Sequence, residues 1–376
     1  MTLHLTRIRL RDFRSYESFD LKGIGGLTVF VGPNAIGKTN IVEGVQLMTA
    51  LTSFRHATID QMVRRGAPRA MIDATVEDDR RLLDLSLTME DHARRYKLNG
   101  KAKRPADLRG MVPSIVFTPD DLDLVKGSAG TRRRAVDALG SQVNANYDVI
   151  VRDYERVLRH KNRLLKDEAS EALIDSIDEM LVTCGAQLTC YRRALLDRLV
   201  PHMVESYRGI SGDRENLSCL FVPSWRSDGS SAFGDPDDAS LSRDAAREAL
   251  SCALRERRAE ERSRRRALAG PHADVVSFAL DGMDASCFGS QGQQRSIVLS
   301  YKIAEACIVE EVLGVKPLLL LDDVMSELDG ARREALVSFI AKDVQTIVTT
   351  ANLAYFDASM LSRADVVELP IPESGV

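Results

Sequence analysis

The stretch Gly32-Pro33-Asn34-Ala35-Ile36-Gly37-Lys38-Thr39 has the spacing Gly-x-x-x-x-Gly-Lys-Thr. Apolar residues at 27–31 predict a strand before it, and apolar residues recurring every three or four positions over 41–51 predict a helix after it. In that context the N–H groups of the loop cradle phosphates. Lys38 is expected to reach the β- and γ-phosphates, and Thr39 is expected to bind Mg²⁺. The sequence therefore predicts a nucleotide-binding loop.

The second half of this nucleotide site is predicted near the other end of the chain, at Leu318-Leu319-Leu320-Leu321-Asp322-Asp323. Consecutive apolar residues predict a fully buried parallel strand, and such sheets place ligands at the carboxyl ends of their strands. Asp322 is suited to hold Mg²⁺ through water. Asp323 is suited to orient or deprotonate the attacking water.

The segment Ser290-Gln291-Gly292-Gln293-Gln294-Arg295 opens a predicted helix and allows two interpretations. A serine and a glycine ahead of a helix leave a hydroxyl and free N–H groups, which suit an anion. Two chains meeting head to tail would then hold each ATP between the glycine loop of one copy and the Ser290 loop of the other. The alternative is that Ser290 only caps its own helix. The sequence leaves both interpretations open.

The pattern of strands and helices divides the chain into three stretches. Residues 1–119 alternate as strands around one helix, and residues 270–376 return to strands and helices. Between them, residues 120–269 are mainly helical in pattern and rich in charge, apart from a strand at 217–222 and a polar loop after it. We therefore expect an α/β head domain made of both ends, with a helical arm domain inserted. Sustained heptads are missing, so the arm is not a long coiled coil.

The composition is that of an ordinary soluble globular chain, with 44% hydrophobic and 28% charged residues. No apolar run approaches the ~20 residues that span a bilayer, and residues 1–5 do not resemble the start of a secretory signal. We therefore expect a cytoplasmic protein without a membrane partner. The six cysteines form no Cys-x-x-Cys pair, which favours reduced thiols. The net charge of −4 means that any site for a polyanion is a local patch.

Arginine is concentrated at 132–134, 152–166 and 255–266, and these clusters also allow two interpretations. They could neutralise DNA backbone phosphates, which gives binding that depends on salt and not on base sequence. Alternatively, they are solvated helix faces paired with nearby acids. There is no aromatic-rich strand or zinc pattern for base readout, so we expect recognition of DNA shape or strand ends.

Three segments together resemble the ABC-type ATPases of DNA maintenance, which include the SMC proteins, and in particular the RecF family. They are Gly32–Asn40, Ser290–Arg295 and Leu320–Asp329. The resemblance covers nearly the whole chain. The supporting segments are Phe13-Arg14-Ser15-Tyr16, Ser53-Phe54-Arg55, Phe117-Thr118-Pro119-Asp120-Asp121-Leu122 and Gly270-Pro271-His272.

The resemblance implies an ABC-type P-loop ATPase head, with mixed sheets and flanking helices, and an inserted helical arm. It implies ATP and Mg²⁺ as cofactors, and a homodimer in the ATP-bound state. The implied DNA ligand is single-stranded or gapped DNA or a duplex junction, bound without sequence specificity. It also implies slow, DNA-stimulated hydrolysis. RecF-like proteins act with RecR and RecO to load RecA at single-strand gaps, and they support replication and the SOS response to DNA damage.

Carried over by motif, the catalytic residues are Asp323 and Lys38, and the metal ligands are Thr39 and Asp322. Ser290 is the signature serine, and Ser326–Asp329 form an interface loop. The implied nucleotide contacts are Gly32, Pro33, Asn34, Ala35, Ile36, Gly37, Lys38, Thr39, Asn40, Ser290, Gly292 and Gln293.

The chain departs from the family pattern at two places. The segment Gly270–Val275 lacks the arginine and paired acid that follow His272 in many members. Residues 349–352 lack the histidine found in transporter-type ABC domains, so the resemblance assigns no γ-phosphate sensor. It also assigns no glutamine that couples the arm to the metal.

Two other classes of protein use the same phosphate loop. An ABC transport ATPase subunit would have a membrane protein as partner, but far more chain separates Lys38 from Ser290 than such a subunit needs. A small-molecule P-loop kinase would transfer phosphate without DNA, and it has no use for the Ser290–Arg295 or Ser326–Asp329 segments.

Overall fold

The structure is a computed structural model that describes residues 4–78, 81–226, 241–341 and 344–369. Part of the polar loop expected after the strand at 217–222 falls on residues 227–240 and lies outside the described residues.

The strands, in chain order, are β1 (His4–Phe13), β2 (Tyr16–Lys22), β3 (Leu27–Val31), β4 (Ala70–Asp78), β5 (Arg81–Glu90), β6 (Ala93–Leu98), β7 (Lys101–Lys103), β8 (Ser114–Phe117), β9 (Leu217–Val222), β10 (Val275–Leu280), β11 (Met283–Asp284), β12 (Leu318–Asp322), β13 (Thr346–Thr350) and β14 (Asp365–Glu368).

The helices, in chain order, are α1 (Lys38–Thr49), α2 (Ile59–Met62), α3 (Pro105–Leu108), α4 (Asp123–Lys126), α5 (Ala129–Val143), α6 (Ala145–Lys166), α7 (Glu171–Ser211), α8 (Arg243–Arg264), α9 (Ala285–Phe288), α10 (Gln291–Leu313), α11 (Gly330–Ile340) and α12 (Ala358–Leu361).

The chain divides into two compact units. The first unit runs up to Asp121 and resumes at Glu305, and the second unit is Leu122–Ala304. The expected division differs from this one over residues 270–304, which were assigned to the head. The reason is that β10 pairs along its whole length with β9, so the chain stays with the helical unit after Val275. Helix α10 begins in the second unit and ends in the first.

The first unit has a parallel sheet with the strand order β14-β3-β13-β12-β8. Every residue of β12 and β13 is buried, as expected for strands of a parallel sheet covered on both faces. Because β3, β12 and β13 run parallel, their carboxyl ends lie at one edge of the sheet. The glycine loop follows β3, and the paired acids lie at the end of β12, where Asp322 is the last residue of the strand, so the sheet brings the two predicted half-motifs to the same edge.

A second, antiparallel sheet in the first unit has the strand order β2-β1-β4-β5-β6-β7. Helix α1 contacts β1 and β4 of this sheet and β12 and β13 of the parallel sheet. Ile41, Val42 and Val45 of α1 are completely buried. Burial on both sides fixes the helix that starts at the glycine loop.

The second unit contains α5–α8 and a small antiparallel sheet with the strand order β11-β10-β9. Its longest helix, α7, has 41 residues. The ammonium of the buried Lys161 lies 2.8 Å from an Asp178 oxygen and 2.6 Å from a Glu261 oxygen, which ties α6 to α7 and α8. Among the described residues, none of the helices combines the length and apolar character that a bilayer crossing needs.

Candidate functional site

The glycine loop leaves the end of β3 and enters α1 at Lys38. The Gly32 N–H donates to the Thr350 carbonyl at 3.3 Å, which fixes the start of the loop to the end of β13. The Lys38 ammonium donates to the carbonyls of Gly32 at 2.6 Å and Pro33 at 2.9 Å. An ammonium has three donors, so one remains for a phosphate oxygen. The side chain is thus already placed over the loop.

Gly37, just before α1, has a backbone that only glycine adopts easily, with φ of 110°. A Cβ at this position would lie 2.9 Å from the Tyr16 hydroxyl and 3.0 Å from the Ser15 hydroxyl. Burial raises the pKa of Tyr16 to about 12. The Phe13–Tyr16 segment, noted in the sequence only for its resemblance, therefore lies against the phosphate loop and explains why Gly37 cannot be larger.

The buried carboxylate of Asp322 accepts hydrogen bonds from two hydroxyl groups of neighbouring elements. Thr39 donates to Asp322 Oδ1 at 3.1 Å and Thr349 donates to the same oxygen at 2.7 Å. Thr349 is the residue opposite Asp322 in the register of β12 and β13. Burial raises the pKa of Asp322, while the hydrogen bonds from Thr349 and Thr39 act in the opposite direction.

The next residue, Asp323, has a left-handed backbone with φ of 54°. Its N–H donates to the hydroxyl of Thr349 at 3.0 Å and to the carbonyl of the same residue at 3.2 Å. Its carboxylate atom Oδ1 is buried without a hydrogen-bond partner among the described residues. A strained backbone and an orphaned buried acceptor are typical of a functional position. The orphaned oxygen suits a water molecule.

These residues fit a Mg²⁺ ion, because Mg²⁺ takes oxygen ligands and in nucleotide sites it uses one or two protein groups together with phosphates and water. The Thr39 hydroxyl and the Asp322 carboxylate supply such oxygens side by side. The described residues hold no cluster of three or more His, Cys, Asp or Glu side chains that could hold a metal by themselves. Burial lowers the pKa of Lys38, and the charges of Asp323 and Asp322 raise it.

Glu43, a fully buried carboxylate in α1, is not among the residues predicted from the sequence. Arg14 donates to it through two nitrogens, at 2.8 and 2.6 Å, and the Ser53 hydroxyl donates to it at 2.6 Å. Arg55 lies 3.8 Å away and also donates to the side chain of Asn40 at 3.1 Å. Glu43 therefore connects the Phe13–Tyr16 segment to the Ser53–Arg55 segment, which appear in the sequence as two separate motifs. A charged residue inside an apolar helical pattern was the available signal.

At the start of α10, Ser290 forms a reciprocal cap with Gln293. The Gln293 N–H donates to the Ser290 hydroxyl at 3.2 Å, and the Ser290 N–H donates to the Gln293 side-chain oxygen at 2.6 Å. Ser290 is exposed. Because the cap uses only a lone pair of the hydroxyl oxygen, its hydrogen can still be donated outward. Capping and anion binding are therefore compatible, so the two interpretations do not exclude each other.

The predicted interface loop follows the paired acids. The Ser326 hydroxyl is exposed and donates to the carbonyl of Asp323 at 2.9 Å. Asp329 caps α11 by accepting from the N–H of Arg332 at 3.0 Å. The loop is thus anchored to the acid that precedes it.

Arg132 is a wrong candidate for a DNA contact. It is buried, and its guanidinium donates to the carbonyls of Val276, Val125 and Gly127, so it stabilises the second unit. Other arginines of the clusters are paired with acids, among them Arg152 with Asp148, Arg156 with Asp153, and Arg258 with Glu171, Asp175 and Asp178. The basic surface is smaller than the sequence suggested.

A basic pocket of about 580 Å³ lies in the second unit, between the last turns of α6 and α8. Its lining residues are Asn162, Lys166, Arg264, Arg265 and Arg266. Arg264 pairs with Glu260 and Arg265 pairs with Glu168, both at the surface. The side chains of Lys166 and Arg266 have no hydrogen bond or ion pair among the described residues.

The segment that departs from the family pattern, Gly270–Val275, is held by residues from other helices. Arg192 of α7 donates to the Pro271 carbonyl at 2.5 Å and to the buried Asp274 at 3.2 Å. His272 Nδ1 lies 2.6 Å from the hydroxyl of Tyr154. Burial lowers the pKa of His272 to about 4. Arg192, which is distant in sequence, thus forms an ion pair with Asp274, the acid of this segment.

A parallel sheet that presents a glycine loop after β3 and paired acids at the end of β12 defines the class of an ABC-type ATPase head. The Smc head domain derived from Pyrococcus furiosus shares this fold, with a TM-score of 0.54 and 14% identity over 98% of this chain and 93% of that chain. Residues 4–367 match the family described as RecF/RecN/SMC N terminal domain. Within it, the chain belongs to the RecF family.

Relatives at higher identity cover almost the whole chain. The DNA replication and repair protein RecF of Heliobacterium modesticaldum is 36% identical over 374 residues, which is 98% of this chain and 97% of the relative. The protein of the same name from Symbiobacterium thermophilum is 37% identical over 354 residues, covering 93% and 92%. A solved structure of the recombination mediator protein RecF-ATPrS in the RecFOR pathway has a TM-score of 0.86 and 26% identity, covering 95% and 94%.

Proposed function

We propose that this chain is an ATP-binding protein of DNA replication and repair, in which ATP closes two copies into a dimer on DNA and slow hydrolysis opens it. The observation that carries the proposal is the exposed Ser290 hydroxyl on a capped helix start, which can donate only to a group from outside its own cap. A nucleotide bound at the glycine loop of a second copy would supply that group, its γ-phosphate.

The glycine-loop side supplies the remaining contacts. Bound Mg²⁺ and ATP would supply the reactive phosphate and the charge that neutralises it as hydrolysis proceeds. Lys38 would donate its third N–H to a phosphate oxygen, while Thr39 and Asp322 would hold the metal. The free Oδ1 of Asp323 would accept a hydrogen from the attacking water. Thr349 would hold both acids in place through the contacts described above.

The names of the relatives support the biological role, and the solved RecF-ATPrS and RecF-ATP structures support ATP as the nucleotide. The same resemblance supports a cytoplasmic role with RecR and RecO in loading RecA at single-strand gaps, and in the SOS response. For DNA, the pocket lined by Lys166 and Arg266 offers cations that no acid of the described chain neutralises. Such contacts bind phosphates without reading bases.

The test measures molar mass by light scattering with ATP, with ADP and without nucleotide, each with and without gapped duplex DNA. We expect a dimer only with ATP, and more of it with DNA. Ser290→Arg should bind ATP normally and stay monomeric, because the longer charged side chain displaces the hydroxyl and blocks close approach. Ser263→Arg, an exposed serine on α8, is the matched control and should dimerise.

An unchanged mass with ATP would refute the dimer. Purification with membranes and no response to DNA would instead favour the transport ATPase subunit. Phosphate transfer to a small acceptor without DNA would favour the kinase.

A further inference from the structure

The cap at Ser290 is itself held by a chain of short hydrogen bonds inside the second unit. The Gln293 side-chain nitrogen donates to Glu215 Oε1 at 2.6 Å. The other oxygen of Glu215 accepts from the Tyr207 hydroxyl at 2.6 Å. Tyr207 lies near the end of α7, and its side chain is 1% exposed. A continuous path therefore runs from the buried Tyr207 to the exposed Ser290.

The chemistry of the path allows Gln293 only one orientation. A carboxylate only accepts hydrogen bonds, so Gln293 must turn its NH₂ group toward Glu215. Its oxygen then faces the N–H of Ser290, as the cap requires. Tyr207 occupies the second oxygen of Glu215, so the carboxylate cannot rotate without losing a hydrogen bond. Each group in the path therefore fixes the next one.

We infer that Glu215 and Tyr207 are positioning residues for the signature serine. They fix the Gln293 amide, which fixes the backbone of Ser290, and so aim the hydroxyl at the phosphate of a nucleotide held by a second copy. This inference rests on the proposed ATP-bound dimer. Neither residue touches the nucleotide. Their effect is on how tightly two ATP-loaded copies associate.

The first experiment uses Glu215→Ala and Tyr207→Phe in the full chain, with Glu205→Ala as matched control, since Glu205 is an exposed acid on α7. The dimer dissociation constant in ATP is measured by analytical ultracentrifugation. Because these hydrogen bonds lie within one copy, they affect association only through the order that they impose on the cap. We expect the dimer to weaken about tenfold for Glu215→Ala, which loses two of them, and about threefold for Tyr207→Phe, which loses one. ATP affinity of the monomer should not change in either variant, and the control should match wild type.

A swap of the two side chains separates positioning from general stability. Gln293→Glu alone brings two carboxylates to the distance of one hydrogen bond, so it should weaken the dimer more than Glu215→Ala. Combining it with Glu215→Gln restores every donor and acceptor in the path. The carboxylate at position 293 then accepts from the N–H of Ser290, and the amide at position 215 donates to that carboxylate and accepts from the Tyr207 hydroxyl. The double variant should recover at least tenfold of the loss.

Hydrogen exchange at the Ser290 amide gives a readout that needs no dimer. It should be several-fold faster in Glu215→Ala than in Glu205→Ala, and the difference should remain after each rate is corrected for the free energy of global unfolding of that variant. Equal exchange in the two variants, or a double variant as weak as Gln293→Glu alone, would overturn the inference. If wild type stays monomeric in ATP, the proposed function fails, and the exchange rates alone then decide this inference.

Discussion

The two halves of the proposed nucleotide site are built in different ways. On the glycine-loop side, Lys38 and Asp322 are each 6% exposed. Lys38 is held by two carbonyls of its own loop, and Asp322 is held by the hydroxyls of Thr39 and Thr349, which are distant in sequence. On the signature side, Ser290 is exposed, and its cap with Gln293 is linked to one side chain from outside the helix, Glu215. Under the proposed function, the first half would bind a triphosphate alone. The second half offers one hydroxyl, which would meet a nucleotide brought by another copy.

This contrast also appears in the energetics of the charged groups. Burial raises the pKa of Asp322 and lowers the pKa of Lys38, so both groups are charged at a cost that a bound phosphate and metal would offset. The signature side carries only hydrogen bonds at the surface, apart from its link to Glu215. We therefore expect changes on the glycine-loop side to affect binding and chemistry, and changes on the signature side to affect association.

The largest effect is expected from Asp323→Asn, which removes the proton acceptor but keeps the shape of the side chain. Hydrolysis should fall about a thousandfold, within the range known for a general base. Closed dimers should persist on gapped DNA, because both halves of the site can still bind ATP. Single-turnover hydrolysis and dissociation from DNA measure the two effects. Dissociation of the dimers from DNA at the wild-type rate would show that Asp323 is not the general base.

Lys38→Ala is expected to lower ATP affinity about a hundredfold, because it removes a charge-assisted hydrogen bond to phosphate from a buried position. Dimerisation should disappear with it, whereas Ser290→Arg loses dimerisation and keeps ATP binding. Titration with a fluorescent ATP analogue gives the affinity, and Lys97→Ala, at an exposed lysine of β6, serves as control. Equal ATP affinities for Lys38→Ala and Lys97→Ala would contradict the contrast between the halves.

The second unit should lose stability in mild acid through His272. Its pKa is about 4 in the folded chain and about 6.5 when unfolded, so between these values only the unfolded chain binds the proton. The free energy of unfolding should therefore fall by about 2 kcal/mol from pH 7 to pH 5.

Urea unfolding at both pH values checks this loss in wild type and in His272→Gln, where the part due to the imidazole should vanish. His160→Gln, at an exposed histidine of α6, is the control and should behave as wild type. The same pH dependence in all three proteins would show that His272 is not responsible.

The smallest effect is expected in the basic pocket. Lys166→Ala with Arg266→Ala should weaken binding to gapped DNA about tenfold and reduce the slope of log K against log salt by about 1.8, since two phosphate contacts are lost. ATP affinity should stay the same. Arg156→Ala with Arg159→Ala removes the same charge from ion-paired positions and should have a smaller effect. Equal losses in both pairs would mean that only net charge matters.

The candidate site residues that can be predicted from sequence are those that are contiguous in the chain. The glycine loop, the acids at the end of β12 and the capped segment at Ser290 each have a local spacing, and each lies on the predicted element. The contacts of Thr349 and Glu43 cannot be predicted in this way. Thr349 matters because of its register with Asp322, and Glu43 because Arg14 and Ser53 fold onto it. Neither set of contacts produces a residue spacing that can be recognised in the sequence.

By itself, the sequence determined the phosphate loop, the order of strands and helices, and the membership of an ATPase family, because backbone preferences and apolar periodicity act over a few neighbouring residues. Only the tertiary structure decided which arginines remain free, where the second unit ends, and how Ser290 is held. Those outcomes depend on burial and on side chains that meet across strands and helices. Arg132 illustrates this, since its local sequence is that of a basic surface and its partners are buried carbonyls.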